Sequence, residues 1–195
     1  MRDLAKIIAK VKGGSYDGAM IIKAVWKKEA GADSEEPVIL KENRKLLVCK
    51  AQYHAASLTV TMLLGYQVPT GEQPDAGAFA VEGMQDECLW QSFSRQRVVD
   101  FVQEVGDSNP IHQTVNPVVP GMLLMDAIKA SLSNGLQELS LSFRNAVFSS
   151  DILQLELSRT ETEETVLLTT DVRAVLQQGN LRLLGREVYI TGSYR

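Results

Sequence analysis

Histidine is scarce in this chain. Of 195 residues, only His54 and His112 carry an imidazole. Imidazole is the side chain whose ordinary pKa lies nearest neutrality, so proton-moving chemistry built on it must use one of these two. His112 is the better placed. Asp107 precedes it by five positions, with Asn109-Pro110 between them. Proline fixes its own backbone and restricts the residue before it, so this turn can aim a carboxylate and an imidazole at one point. Together they can hold a water and move its protons, as general acid–base catalysis requires. The competing reading is a plain surface turn, because Asp, Ser, Asn and Pro are common turn residues. His54, in KAQYHAASL, has no motif around it and reads as structural or superficial.

Two further groups follow. Gly121 comes directly after Pro120, at the start of an apolar run. A helix beginning there presents free N–H groups and the positive end of its dipole, and glycine lets a ligand carbonyl come close. That geometry suits stabilisation of an enolate-like oxygen; the plainer alternative is a simple Pro-Gly helix start. Asp126 lies in the middle of the same run. A charge there must be paired, protonated or turned toward a cavity, so it is either functional or bonded to neighbouring backbone. Cys49 and Cys88 form no CxxC and show no metal-ligand spacing, so they read as buried reduced thiols.

The surrounding elements must position these groups. In the N-terminal stretch, Leu4, Ile7, Ile8 and Val11 follow helical spacing. Strands are expected at 18–28, 37–40, 45–54 and 57–68, with a linker at 69–78, where two prolines and several turn-formers fall. A strand at 87–93 precedes a helix capped by Ser94, with Val98, Phe101, Val102 and Val105 on one face and a stop at Gly106. The helix starting near Pro120 is apolar all round and should run to Asn134-Gly135. Four strands are expected after it, at 138–147, 151–159, 164–175 and 180–192. A helix without a polar face must be wrapped, and the simplest wrapping is the curl of an antiparallel sheet.

A faint repeat accompanies this order. Leu63-Leu64-Gly65 returns at Leu183-Leu184-Gly185, Ala24-Val25 at Ala146-Val147, and Asp3-Leu4-Ala5-Lys6 resembles Asp126-Ala127-Ile128-Lys129. The spacings lie between 120 and 123 positions.

At GDSNPIH, residues 106–112, the chain resembles the MaoC-like (R)-specific enoyl-CoA hydratases, and the likeness extends over about residues 87–195. In that family the signature Asp and His act on the water; they match Asp107 and His112. The stretch HQTVNPVVPGMLLMDA also resembles the β-hydroxyacyl-ACP dehydratases, whose catalytic His is followed by Pro-Gly and a helix bearing a catalytic Glu. By spacing, Asp126 falls at that Glu, so Asp107 and Asp126 compete as acidic partner of His112. Both resemblances imply an α+β hotdog fold, an antiparallel sheet around a central helix. With the repeat, they imply a double hotdog: a truncated, degenerate half at 1–75 and a complete domain at 76–195. Asn109, Gly121, Leu123 and Phe143 are the expected substrate contacts.

The implied activity is that of a lyase, hydrating trans-2-enoyl thioesters or dehydrating (R)-3-hydroxyacyl thioesters. The alternatives are a non-catalytic acyl-thioester-binding hotdog or a hotdog thioesterase. The resemblance implies no metal and no redox cofactor, with coenzyme A or acyl carrier protein phosphopantetheine as substrate carrier. Arg95, Arg97 and Arg144 are candidates for its phosphates, though solvated surface charge is the commoner role. A homo-oligomer is expected by analogy of fold.

Composition sets the outer limits. Twenty Lys and Arg against 24 Asp and Glu give a net charge of −4, with no basic stripe to suggest nucleic acid. Apolar runs are too short to span a bilayer, and the first residues carry charges too often for a signal peptide, so a cytoplasmic protein is expected. The length is awkward: at roughly 150 residues per domain it makes about 1.3 domains.

Overall fold

The computed structural model describes residues 1–11, 16–65, 91–132, 135–149, 151, 153–159, 164–170, 174–177, 180–183 and 187–194, with backbone alone for much of the stretch after 156. The linker at 69–78 and most of the strand expected at 87–93 lie outside them; within that strand, Gln91 makes an isolated bridge to Leu153 and Phe93 is buried.

The chain opens with α1 (Arg2–Ile8), whose Leu4, Ala5, Ile7 and Ile8 are buried as the spacing predicts. Four strands follow: β1 (Met20–Lys28), β2 (Val38–Glu42), β3 (Leu46–Tyr53) and β4 (Ala56–Leu63). After α2 (Arg95–Val105) and a 3-10 turn at Pro110–His112 comes α3 (Gly121–Ser131). The remaining strands are β5 (Glu138–Phe143), β6 (Gln154–Arg159), β7 (Glu164–Thr170), β8 (Ala174–Gln177), β9 (Asn180–Leu183) and β10 (Glu187–Tyr194).

Eight strands form one antiparallel sheet in the order β2-β3-β4-β1-β5-β10-β7-β6, while β8 and β9 pair separately. With that hairpin set aside, the order reads alike from both ends. The first strand of each group of four is central, its second is at the edge, and its fourth lies beside the first. β1 and β5 meet in the middle, with Ala24 opposite Leu141 and Trp26 opposite Leu139. Both central strands carry α3, whose Met122, Leu123, Leu124, Met125, Ala127 and Ile128 are buried. Truncating one such fully enclosed leucine to alanine costs about 2–5 kcal/mol, so this helix anchors the core. Lys129 brings its last turn to water by lying over the Trp26 ring, 4.5 Å from the centroid.

Several expected boundaries move. β1 starts at Met20, because Gly18 turns the chain with φ +78°. The strand expected to reach Val147 stops at Phe143: the next residues leave the sheet, and Val147 accepts the Val119 N–H at 2.7 Å. α3 ends at Ser131 rather than near Asn134-Gly135, because Leu132 is already extended. The long strand expected at 164–175 divides into β7 and β8, and that at 180–192 into β9 and β10, since the hairpin interrupts both. The sequence repeat matches this topology only in part. Asp3–Lys6 and Asp126–Lys129 lie in α1 and α3, the helices preceding β1 and β5. By contrast, Ala146-Val147 lies beyond β5, and Leu183 ends β9 whereas the positional counterpart of β4 is β10.

Candidate active site

Local backbone chemistry builds the loop that carries Asp107 and His112. Ser94 caps α2 by accepting the Arg97 N–H, and Val98, Phe101, Val102 and Val105 fix the buried face. The helix closes on Gly106 at φ +73°, a left-handed position that glycine takes without strain. The Gly106 and Asp107 N–H groups both return to the Val102 carbonyl at 3.0 Å. Asp107 Oδ1 then accepts the Asn109 N–H at 2.9 Å, and Asn109 Oδ1 accepts the Ile111 N–H at 3.4 Å. These nested turns, with Pro110 in the first 3-10 position, lead the chain into His112.

His112 is buried, 6% exposed. Its Nδ1 lies 2.7 Å from the Val118 carbonyl. A carbonyl can only accept, so in the neutral ring Nδ1 carries the proton and Nε2 the lone pair. Nε2 faces Asp107 Oδ2 at 3.6 Å, beyond a direct hydrogen bond but close enough for both atoms to accept from one donor. Burial pushes the imidazole pKa below its ordinary 6.5; the Asp107 charge and the Val118 bond oppose the shift without cancelling it.

The pair lines a cavity of about 90 Å³. Gly121 and Phe143 also face it, and Tyr16 and Ile21 from the N-terminal strands' side close it. A single water needs only about 10–15 Å³ of such space, so ordered water fits beside the pair. The N-terminus of α3 borders it. Pro120 offers no side-chain cap, and the first N–H groups of a helix have no acceptor within it; among the described residues, none accepts from those of Gly121 and Met122. A Cβ on Gly121 would touch Ile21 and the Phe143 ring at 3.4 Å, so glycine keeps this corner open.

The other expected residues divide. Asp126 and Leu123 do not reach this cavity. They are three apart on α3 and wall a separate cleft of about 360 Å³ with Arg2, Arg97, Phe101 and Glu104. Within this chain Asp126 thus lines a different cleft from the one that His112 lines, and the buried α3 positions at the cavity are Met122 and Leu124. Asn109 borders the cavity, but its amide is engaged by protein: Oδ1 accepts the Gly18 N–H at 3.1 Å, and Nδ2 donates to the Ala19 carbonyl at 2.9 Å. It thus fastens the loop to the N-terminal segment. Arg97 donates to Gln91 and lies over Phe93; Arg95 and Arg144 are exposed. His54 is exposed in a turn, as expected, and Cys49 is buried, its thiol pushed up to about 12 by desolvation. Cys88 lies outside the described residues.

Sequence reasoning missed Val118 and Tyr16. The first contributes only a backbone carbonyl, which no side-chain pattern signals. The second lies far from the signature, and its phenol donates to Glu42 Oε1 at 3.0 Å.

An antiparallel sheet with a buried helix on its central strands is the hotdog fold, of α+β class. No family model matches the sequence, and no curated protein matches it. Among solved structures, two crystal structures of HtdX from Mycobacterium tuberculosis superpose with TM-scores of 0.58 and 0.56 at 14% identity. They cover 98% and 99% of this chain and 83% and 81% of their own. A MaoC-like dehydratase from Phytophthora capsici, at 13% identity and a TM-score of 0.49, covers 95% of this chain and 74% of its own.

Proposed function

We propose that the chain is an acyl-thioester hydratase or dehydratase, and that Asp107 and His112 carry the reaction. One observation supports this above the rest. A buried imidazole, its Nδ1 fixed by Val118, turns a bare Nε2 toward Asp107 at 3.6 Å, beside the free N–H groups that open α3.

In hydration, a water donates one O–H to His112 Nε2 and the other to Asp107. Its oxygen bonds to C3 of the trans-2-enoyl thioester as Nε2 takes the proton. The C2–C3 π electrons move onto the thioester carbonyl, whose oxygen accepts from the N–H groups at Gly121 and Met122. The imidazolium then delivers the proton to C2, which restores the carbonyl. Dehydration runs the same steps backward: Nε2 removes the C2 proton, and hydroxide leaves C3 as water. Phe143 lines the same cavity, where it would border the reacting carbons. Coenzyme A or phosphopantetheine is the carrier in this reading, and no other cofactor is invoked. The matching strand orders support the view that residues 1–75 form a cut-down copy of 76–195 and complete the pocket wall.

The test is loss of enoyl-thioester absorbance with purified protein. Asp107→Asn and His112→Ala should each slow turnover at least about 100-fold. Release of free thiol would point to thioester hydrolysis instead, and tight acyl-thioester binding without turnover to a binding protein. Near-native rates in both variants would overturn the assignment.

A further inference from the structure

β2 is the outermost strand on one side of the sheet, and every one of its residues is exposed. Val38, Ile39 and Leu40 are 54%, 45% and 54% exposed, an uncommon concentration of aliphatic surface at an open edge. Among the described residues no strand pairs with its outer side, so its outer backbone groups can template another strand. The charges beside this edge restrict what that strand can be. Glu35 and Glu36 precede it; Arg44 and Lys45 follow it. Lys10 meets the Glu35 carbonyl and the Glu36 carboxylate and offsets one of the acidic charges, while Asp33 adds another nearby.

We propose that β2 pairs antiparallel with β2 of a second copy of this chain, about a two-fold axis at Leu40. In that register position i lies opposite position 80 − i. Leu40 meets Leu40, Ile39 meets Lys41 and Val38 meets Glu42; beyond the strand, the Arg44–Lys45 turn that closes the β2–β3 hairpin of one copy lies toward the Glu35–Glu36 end of the other. No like charges oppose one another, and the acidic end of each copy meets the basic end of the other. The two-fold makes the interface self-complementary, so assembly closes at a dimer. Pro37 before the strand and the bulge between Ile39 and Lys41 keep the ladder short. The contact is also tied to the His112 cavity: Glu42 at the end of β2 holds the phenol of Tyr16, which lines it.

Sedimentation equilibrium on the full chain tests this independently of any catalytic activity. A dimer is expected at micromolar concentrations. Leu40→Lys, at an exposed position, should give a monomer with an unchanged circular dichroism spectrum. Glu35→Lys with Glu36→Lys should raise the dissociation constant at least about tenfold, and adding Arg44→Glu with Lys45→Glu should restore it. A chain that stays monomeric, a dimer indifferent to Leu40→Lys, or charge reversal without restoration would each overturn the proposal.

Discussion

His112 and Val118 are joined by a 2.7 Å hydrogen bond from ring Nδ1 to main-chain carbonyl, and this bond decides which nitrogen meets Asp107. The acceptor holds the proton on Nδ1, so Nε2 is left as the base. A second bond secures the acceptor itself, since the Val118 N–H returns to the Ile111 carbonyl at 3.1 Å. The tautomer is thus built into the folded loop.

Burial lowers the His112 pKa below 6.5, so the neutral base persists into mildly acidic solution. Activity that needs this base is lost only as pH falls through the lowered value, on the acid side of 6.5. The Asp107 charge opposes the shift. Asp107→Asn should therefore move the His112 titration further down, which NMR of the imidazole can follow even in an inactive variant. The same shift affects stability. Above pH 6.5 both folded and unfolded states hold neutral imidazole; below it the unfolded chain gains the proton first, so the melting temperature should begin to fall.

Asn109 should behave as a positioning residue. Asn109→Asp keeps the acceptor for Gly18 but loses the donor to Ala19. A loosened loop should lower kcat by about tenfold or more with a smaller change in KM, because misplacing a catalytic group raises the barrier more than it weakens binding. Deleting residues 1–75 removes Gly18, Ala19 and part of the cavity wall, and should abolish activity.

Asp126→Asn separates the two acidic candidates. Its cleft lies apart from His112. Steady-state rates within about twofold of the parent are expected, as for ordinary half-exposed substitutions. A loss approaching that of Asp107→Asn would show that a carboxylate outside the cavity reaches the reaction.

The β3–β4 turn offers a stability prediction. His54 and Ala55 have φ of +47° and +55°, the left-handed values of a two-residue hairpin turn. Alanine is strained there and glycine is not. Ala55→Gly should stabilise the fold by about 0.5–1 kcal/mol and raise Tm by roughly 1–4 °C in a thermal melt.

Much of the site could be read from local chemistry. The order Asp107, Asn109, Pro110, His112 encodes its own turns, because short polar side chains cap the next backbone N–H and proline fixes the bend. The all-round apolar character of α3 foretold a wrapped helix for a similar reason: a face that cannot meet water must meet protein. Strand ends were less legible. Phe143 stands between Ser142 and Arg144 in a stretch that reads as one strand to Val147, yet the strand ends at Phe143 and the Val147 carbonyl accepts the Val119 N–H instead.

The roles of Asp126 and Asn109 belong to the tertiary structure alone. Spacing from His112 made Asp126 a candidate, but a helix turns 100° per residue, and packing on β1 and β5 decided that Gly121 and Leu124, not Leu123 and Asp126, face the cavity. Asn109 lies inside the signature, yet its amide partners are Gly18 and Ala19, about ninety positions away. By itself the sequence determined the turn, the buried helix and the neighbourhood of Asp107 and His112, because those follow from interactions among near neighbours. Only the folded sheet decided which carboxylate meets the imidazole and which segment holds the loop, because both depend on contacts between residues that the chain keeps far apart.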